Sequence, residues 1–498
     1  MSKLRHLCLA LIVLLWLPQP PAAAGDTASI KAKADALVAA QGFPTAQVGY
    51  LVFDLSDGNI LLEQNADRAY IPASLQKVPT MLYGLERLGP WHRFSTRLLA
   101  QGKITNGKLV GDLYLKGGGD PFLANEDLLE LIGQLNANGV REVVGRFFYD
   151  ESALPSLTEL NPTQPRAVSY NPGLSALNLN FNVLELAWAR DPKTGALAAG
   201  AVSRSEATEV TADSVAIAML PTSRGKAVPY LPSIGPEGES WFLSPELSKK
   251  GQARVPVKLA ALNAAQIFRK LALMQGISLP VPQAGIAPPG SRPLGEHESV
   301  PLVEAVKLIL RYSNNLSAEI VALLASMHGQ APVSSLQESG QRIAAWLRQR
   351  VPQGDWQGLL LANGSGLSSL SRMTARQMAT ILFYGYSLHR QGLDVPSLMA
   401  KPRWRKTLGK LQKKHGKHLT VRGKSGTIYF SRAYAGYLDT KGGRKVGFAL
   451  FISDLNQRQV YDQTLNIDQV VAPAGAAGWM KRAKKLEREM VSLWLLSF

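Results

Sequence analysis

PASLQKV, at residues 72–78, is the segment from which the fold of this chain is best recognised. It contains Ser74 and Lys77 in the pattern S-x-x-K, and the apolar residues after it indicate that the stretch opens a helix. Positions i and i+3 lie on one face of a helix, so the lysine amine can reach the serine hydroxyl. By itself S-x-x-K is expected about once or twice by chance in a chain of this length, so its meaning depends on the motifs further along the chain.

Two further motifs lie C-terminal to it. Residues 313–315, SNN, read as S-x-N, and residues 424–426, KSG, read as K-S-G. With S-x-x-K they are typical of serine acyl-transfer enzymes whose base is a lysine rather than a histidine. The joint pattern therefore predicts an acyl-enzyme mechanism, although each motif taken alone is more simply a helix start, a loop cap or a turn.

The predicted nucleophile is Ser74, and the predicted base is Lys77. A helix N-terminus carries partial positive charge, which favours the alkoxide that develops on a serine during attack. A lysine acts as a base only when it is neutral, so burial and a neighbouring cation must lower its pKa. Lys424 is the candidate for that cation.

The other motif residues have predicted roles around the same serine. Ser313 is expected to relay a proton to the leaving amine, and Asn315 to orient Lys77 and the substrate backbone. Lys424 is expected to hold a substrate carboxylate. The following residues complete the predicted substrate-binding wall, with the backbone N–H groups of Ser74 and Thr427 as the oxyanion hole: Ser425, Gly426 and Thr427.

The N-terminus has the layout of a cleaved secretory signal peptide over residues 1–24. Lys3 and Arg5 precede an apolar run over 7–17, and three alanines end at Ala24. The single cysteine, Cys8, would leave with this leader, which excludes cysteine catalysis and thiolate metal sites. The mature protein is therefore expected in the periplasm.

The formal charge of +18 is strongly basic, with the densest run over residues 401–424. For an exported protein this favours anionic wall polymers or lipid headgroups over nucleic acid, and a solvated basic face is the alternative. The histidines show no metal-ligand spacing, and His418 stands where a phosphate-binding loop would need glycine. We expect no metal, nucleotide or other cofactor.

The chain is predicted to form an α+β fold with one antiparallel sheet built from both of its ends. Apolar-rich strands are predicted at 48–55, 59–64, 420–429, 433–439 and 445–453. Helical patterns flank them after Pro72 and at 302–311, 316–326, 337–349, 374–385 and 479–495. These patterns predict one domain over 25–89 and 296–498, interrupted by an inserted region over 90–295.

The motifs resemble those of the low-molecular-mass class C penicillin-binding proteins, a family of D-alanyl-D-alanine carboxypeptidases and endopeptidases. The resemblance includes PASLQKV at 72–78, LKGGGDP at 115–121 and GSGLS at 364–368, and it covers nearly the whole mature chain. It implies a transpeptidase-like (β-lactamase-like) domain, an antiparallel sheet flanked by helices, with two smaller β-rich domains inserted.

The resemblance also implies an activity. Ser74 would be acylated by peptidoglycan stem peptides ending in D-Ala-D-Ala, and β-lactams would form an adduct on the same serine. Asp150 matches the position linked in relatives to the diaminopimelate ammonium, although an ordinary strand-end aspartate is equally expected. The alternatives are a β-lactamase and a non-catalytic peptidoglycan-binding scaffold.

Three residues depart from the family pattern. Ser425 stands where threonine is commoner, Asn363 stands where aspartate is usual, and Pro79 is expected to kink the helix after the nucleophile. Near the C-terminus, residues 479–494 carry an apolar stripe beside a basic face. We expect this helix to pack on the sheet, with weak association with a membrane surface as the alternative.

Overall fold

The structure is a computed structural model that describes residues 24–235 and 238–498. The predicted signal peptide, with Cys8, lies outside the described residues. Within these ranges no helix combines the length and the apolar character needed to cross a membrane.

The central sheet has five antiparallel strands drawn from both ends of the chain, as the sequence predicts. Their order across the sheet is β16-β17-β18-β1-β2. The bounds are β1 Val48–Asp54, β2 Ile60–Gln64, β16 Thr420–Ile428, β17 Ser431–Asp439 and β18 Lys445–Ser453. Strand β16 is an edge strand, and on its free side Gly423 donates a backbone hydrogen bond to Ala400 at 3.0 Å, so only the rest of that side can pair with a ligand.

Helices cover both faces of this sheet. Successive side chains of a strand point to opposite faces. Leu51 and Phe53 accordingly pack in one apolar cluster, and Tyr50 and Val52 in another. The bounds of the helices are α1 Ala24–Ala40, α2 Lys77–Leu88, α3 Asn125–Ala137, α4 Ala260–Met274, α5 Leu302–Tyr312, α6 Asn315–Met327, α7 Leu336–Arg350, α8 Ala375–Ser387, α9 Val395–Leu398, α10 Arg405–His415, α11 Leu455–Thr464 and α12 Ala476–Ser497.

The first cluster contains residues of α2, α5, α6, α7 and α8, and the second contains residues of α1 and α12. The apolar stripe of α12 is buried, with Trp479 at 3% exposed and Trp494 at 0%. That stripe packs on the sheet, as the sequence favours, so the membrane-surface alternative for this helix gains no support from the structure.

The inserted region contains three further sheets. A six-stranded sheet consists of β3 Ser95–Thr105, β4 Lys108–Gly117, β5 Glu142–Val143, β6 Phe147–Asp150, β14 Pro282–Ala284 and β15 Arg292–Glu298. A four-stranded sheet consists of β7 Val183–Arg190, β8 Leu197–Arg204, β9 Glu209–Thr211 and β13 Lys250–Pro256. A three-stranded sheet consists of β10 Val215–Met219, β11 Tyr230–Gly235 and β12 Gly238–Leu243.

The inserted sheets share one apolar cluster, which includes Leu98, Leu186 and Trp241. Strand β15 pairs with β3 as far as Glu298, three residues beyond the predicted end of the insertion. We therefore propose that the insertion ends after Glu298. Its division into two small domains stays a prediction.

Two local expectations from sequence differ from the structure. The alternation of apolar and polar residues over 209–219 predicts a strand, but the structure splits this stretch between β9 and β10, which belong to different sheets. Pro79 lies in the first turn of α2, where backbone N–H groups have no partner within the helix. The proline therefore removes no hydrogen bond from the helix interior, and the expected kink has no cause there.

Candidate active site

The nucleophile candidate lies on a short 3-10 turn. Residues Ala73–Gln76 form this turn, and α2 begins directly after it at Lys77. The Lys77 side chain is fully buried, and its Nζ lies 3.0 Å from Ser74 Oγ. Ala73 has φ of +47°, an uncommon conformation for a residue with a Cβ, and such strain is concentrated at functional sites.

Lys77 has two further hydrogen-bond partners. Its Nζ donates to Asn315 Oδ1 at 2.7 Å and to the backbone oxygen of Ser365 at 2.8 Å. The amide of Asn315 is itself oriented, because its Nδ2 donates to the backbone oxygen of Tyr170 at 3.1 Å. The insertion, which supplies Tyr170, thus helps to position a motif residue of the catalytic domain.

Burial lowers the pKa of Lys77 to about 7, and the nearby Glu319 carboxylate partly opposes this shift. An amine with this pKa is neutral in a large fraction of molecules at neutral pH. The sequence predicts that burial and a neighbouring cation, Lys424, both depress this pKa, and in the structure removal of the ammonium from water is the chief cause.

Glu319 is a charged residue of the site that sequence reasoning missed. Its buried carboxylate accepts hydrogen bonds from the backbone N–H of Gly364 at 2.8 Å and of Ser365 at 2.7 Å. It thereby fixes the loop whose Ser365 oxygen contacts Lys77. A signal was present in the sequence: Glu319 interrupts an apolar helix and lies four residues after Asn315, on the same helical face.

Asn363 is uncharged and stabilises this loop through hydrogen bonds. Its Oδ1 accepts the backbone N–H of Gly366 at 2.8 Å, and its backbone oxygen accepts from Gln76 Nε2. The carboxylate whose charge acts on Lys77 is Glu319. The departure from the usual aspartate therefore keeps the local hydrogen bonding.

Ser313 ends α5 in the left-handed conformation, with φ of +60°. Lys424 Nζ donates to Ser313 Oγ at 2.8 Å and to the backbone oxygen of Ser425 at 2.6 Å. The Lys424 side chain is only 2% exposed. It thus lies behind a wall that Ser313 and Ser425 present to the cleft.

Burial lowers the pKa of Lys424 well below its usual value, and the positive charges of Lys77, Arg432 and Arg403 lower it further. Burial and the neighbouring cations thus oppose the ammonium that the sequence predicts at Lys424.

Gly426 allows β16 to approach the nucleophile turn. A Cβ added there would lie 2.1 Å from the backbone oxygen of Pro72 and 2.8 Å from the backbone nitrogen of Leu75. No side chain fits in that space. The close approach expected of this glycine is therefore to the protein's own nucleophile segment.

Two cavities share Ser74, Ser313 and Thr427 in their walls. One, of about 470 Å³, also has Ser425 in its lining and is called here the Ser425 cavity. The other, of about 450 Å³, also has Asn315 in its lining and is called here the Asn315 cavity. Ser74 is thus open to ligand from two directions.

Asp150 is the predicted site residue that the structure does not bring to this cleft. Its buried carboxylate pairs with Lys116 Nζ at 3.1 Å and accepts hydrogen bonds from Ser152 and from Ala287. It lines neither of the cavities at Ser74. Its carboxylate is already saturated with partners, so the expected recognition of a substrate ammonium gains no support here.

One histidine lies in an acidic cluster that the sequence spacing did not indicate. His297 is grouped with Asp127 and Glu130, whose ligand atoms lie within 4.8 Å of one another, and its Nε2 is 3.6 Å from Asp120. The neighbouring carboxylate of Asp120 is the largest cause that raises the pKa of His297 to about 9, and a 2.9 Å hydrogen bond between its Nδ1 and Glu130 adds to the effect. A protonated imidazole balances the charge of these carboxylates.

Comparison with known proteins places the chain in a family. The D-Ala-D-Ala carboxypeptidase 3 (S13) family matches residues 30–473. The chain belongs to this family. The candidate active site of this S13 chain thus lies within the segment that matches a peptidase family.

Curated relatives match this S13 chain over different lengths. The D-alanyl-D-alanine carboxypeptidase of Actinomadura sp. (strain R39) is 32% identical over 147 residues, 29% of the chain and 27% of that relative. The D-alanyl-D-alanine carboxypeptidase DacB of Haemophilus influenzae is 32% identical over 111 residues, 22% of the chain and 23% of that relative. The matched segment thus spans about a quarter of each of these two relatives.

One curated relative and one solved structure match over most of their length. Carboxypeptidase Rv3627c of Mycobacterium tuberculosis is 24% identical over 451 residues, 87% of the chain and 80% of that relative. The crystal structure of penicillin binding protein 4 from Haemophilus influenzae aligns with a TM-score of 0.70 and 19% identity, over 92% of the chain and 99% of that structure. The S13 chain therefore has the multidomain fold of a penicillin-binding protein, with antiparallel sheets flanked by helices.

Proposed function

We propose that this protein is a serine DD-carboxypeptidase with DD-endopeptidase activity on peptidoglycan stem peptides. The observation that carries the proposal is the set of contacts around Lys77. Two of its three partners, Asn315 Oδ1 and the Ser365 backbone oxygen, can only accept hydrogen bonds, whereas the Ser74 hydroxyl can donate. A neutral amine gives its two hydrogens to the first two and its lone pair to Ser74.

The first step is attack of Ser74 on the carbonyl of the penultimate D-alanine. Ser74 Oγ forms a bond to the carbonyl carbon, and its proton passes to Lys77 Nζ. The negative charge that develops on the carbonyl oxygen is stabilised by the backbone N–H groups of Ser74 and Thr427. Ser74 is the second residue of its turn, where backbone N–H groups lack a partner within the helix.

The second step breaks the peptide bond. The leaving nitrogen takes the proton that Lys77 received, with the Ser313 hydroxyl as the relay, and the carbon–nitrogen bond breaks to give an ester on Ser74. A water molecule then attacks this ester and gives a proton to Lys77. Ser74 regains its proton as the shortened stem peptide leaves.

The carboxylate of the leaving D-amino acid is held at the wall formed by Ser313 and Ser425. Lys424 lies behind both residues and donates to each. An arriving carboxylate favours the ammonium form of Lys424. Ser425 supplies the hydroxyl that threonine provides more commonly in this family.

The acyl part of the substrate pairs with the open side of β16. This strand lies at the edge of the central sheet, and Thr427, which it contributes, lines both cavities. An extended peptide that adds to a sheet edge gains backbone hydrogen bonds without needing a particular side chain. Because the leaving carboxylate is proposed to lie at Ser425, which lines only the Ser425 cavity, the donor stem peptide is placed in the Asn315 cavity.

We place this activity outside the cytoplasm, in the periplasm, where the substrate is found. The proposal is supported by the family and by the basic charge of +18, which suits an anionic wall polymer. It extends to β-lactams as covalent inhibitors of Ser74. A related penicillin binding protein 4 structure is described as complexed with a β-lactam.

The test is to incubate the protein with purified muropeptides and to identify the products by mass spectrometry. We expect loss of terminal D-alanine from pentapeptides and conversion of cross-linked dimers to monomers, with neither product from Ser74→Ala. Unchanged muropeptides with the intact protein would instead support a wall-binding scaffold. Rapid turnover of penicillin, in place of a persistent adduct, would support a β-lactamase.

A further inference from the structure

The Ser425 cavity is walled by cations. Four basic side chains, Arg403, Arg432, Lys484 and Arg488, line it together with a single carboxylate, Glu487. The lysine and one arginine come from α12, and Arg403 immediately precedes α10. The C-terminal helix and the basic segment over 401–424 thus meet at the mouth of the active site.

Among the described residues, only one of these cations is neutralised by a carboxylate. Glu487 pairs with Arg432, and the two side chains are 5% and 9% exposed. Among the described residues, Arg403, Lys484 and Arg488 have no carboxylate within ion-pair distance. Arg403 and Lys484 are exposed and Arg488 is half-buried, so all three remain able to bind a dissolved anion.

These three cations lie on the side toward which the leaving group departs. Ser425 lines their cavity, whereas Asn315, which contacts Lys77, lines the other. Arg403 also lies close enough to Lys424 for its charge to lower the pKa of that lysine. Its positive field therefore reaches the wall that holds the substrate carboxylate.

The two reactions of the proposed function release very different leaving groups. A carboxypeptidase releases one D-alanine, whose single carboxylate is already held at Ser313 and Ser425. An endopeptidase releases a second stem peptide, which carries additional carboxylates beyond the cleaved bond. A cavity of about 470 Å³ with three unpaired cations exceeds the needs of D-alanine and matches the second stem peptide in charge.

We propose that Arg403, Lys484 and Arg488 form a subsite for the carboxylates of the departing stem peptide, and that this subsite directs the protein toward opening cross-links. The inference rests on the proposed function and specifies its substrate. Because these cations act on bound substrate and not on the reacting atoms, they are specificity residues.

The experiment compares two purified substrates, a cross-linked muropeptide dimer and a pentapeptide monomer, by the ratio of their kcat/KM values. The test variant carries Arg403→Gln, Lys484→Gln and Arg488→Gln. The control variant carries Lys406→Gln, Lys410→Gln and Lys481→Gln, which removes the same charge from the same two helical regions but outside the cavity. Labelling of Ser74 with a fluorescent penicillin verifies that each variant is folded.

We expect the dimer-to-monomer ratio to fall about tenfold in the test variant and to stay within about twofold of the wild-type ratio in the control variant. Higher salt should lower the ratio of the wild-type protein and leave that of the test variant nearly constant. Equal ratios in all three proteins would overturn the subsite while leaving the proposed function intact. A wild-type protein that processes neither substrate would overturn both.

If the triple variant labels poorly, Lys484→Gln alone carries the test, because Lys484 is exposed and makes no ion pair among the described residues. A lower dimer-to-monomer ratio for this single variant supports the subsite. An unchanged ratio for each of the three single variants contradicts it.

Discussion

Lys77 makes its hydrogen bonds in a way that suits one protonation state. Its amine lies between two obligate acceptors and the Ser74 hydroxyl, and burial lowers its pKa to about 7. At lower pH Lys77 is protonated, and its nitrogen then has no lone pair to accept the proton of Ser74 Oγ. Acylation of Ser74 should therefore be limited by the fraction of neutral Lys77.

This predicts an ascending acid limb in the rate of Ser74 acylation by penicillin. The rate should rise as pH increases through about 7 and should fall about tenfold for each pH unit below it. Stopped-flow measurement with a fluorescent penicillin, at pH values where the fold is intact by circular dichroism, gives the profile. A flat profile across this range would contradict the assignment of Lys77 as the base.

Glu319→Gln should shift the acid limb of the Ser74 acylation rate to lower pH. The Glu319 carboxylate raises the pKa of Lys77, so its neutralisation lets Lys77 lose its proton more readily. We also expect a stability loss of about 1 to 3 kcal/mol, because the glutamine amide cannot accept from both Gly364 and Ser365. Glu304→Gln, on an exposed turn of α5, is the matched control and should leave the limb in place.

At the residue scale, sequence predicted the groups of the site better than their electrostatics. Local spacing was enough to anticipate that Lys77 reaches Ser74. The chemistry of a lysine base required burial of Lys77, and the structure agrees, whereas the burial that lowers the pKa of Lys424 depends on tertiary packing and was not readable from the motifs. Glu319 was visible only as an acidic residue in an apolar helix.

At the scale of elements, the contact between β16 and the nucleophile turn holds the site together. Gly426→Ala would force a methyl group against the backbone of Pro72 and Leu75, so strand and turn must separate. We expect penicillin labelling of Ser74 to fall at least about tenfold, because misplaced reacting groups lose their alignment. Gly133→Ala, in α3 with open space around the added Cβ, should label normally.

The sequence predicted well those elements in which apolar residues recur at regular intervals. Strands β1, β2, β16 and β18 lie within one residue of their expected bounds because buried and turn residues mark them sharply. The prediction for residues 209–219 was wrong because the alternating pattern there fits a single strand. The chain turns at residues 213–214 between β9 and β10, and neither glycine nor proline marks that turn in the sequence.

At the scale of the whole molecule, α12 closes one face of the central sheet. Trp494 is fully buried, with ring centroids 5.5 Å from Tyr50 and 5.9 Å from Phe448. Trp494→Ala should cost about 3 to 5 kcal/mol of unfolding free energy in urea or guanidinium titrations. Trp91→Ala, at a position that is 76% exposed, is the control and should cost less than about 0.5 kcal/mol.

If Trp494→Ala lowered the unfolding free energy as little as Trp91→Ala, the result would support the alternative that α12 is a membrane-surface helix. The sequence contained both interpretations, because an apolar stripe beside a basic face fits either. The structure favours packing over membrane association, because the central sheet has an apolar face that matches the apolar stripe of α12 in size. In this fold the basic side of the same helix faces the active-site cleft instead.

The central claim is that Ser74 is the nucleophile of a site assembled from three distant segments, and covalent labelling tests it most directly. The intact protein is incubated with benzylpenicillin, digested, and mapped by mass spectrometry. We predict a single persistent adduct on the peptide that carries Ser74, and none on Ser74→Ala. An adduct on another residue, or equal labelling of Ser74→Ala, would contradict the account.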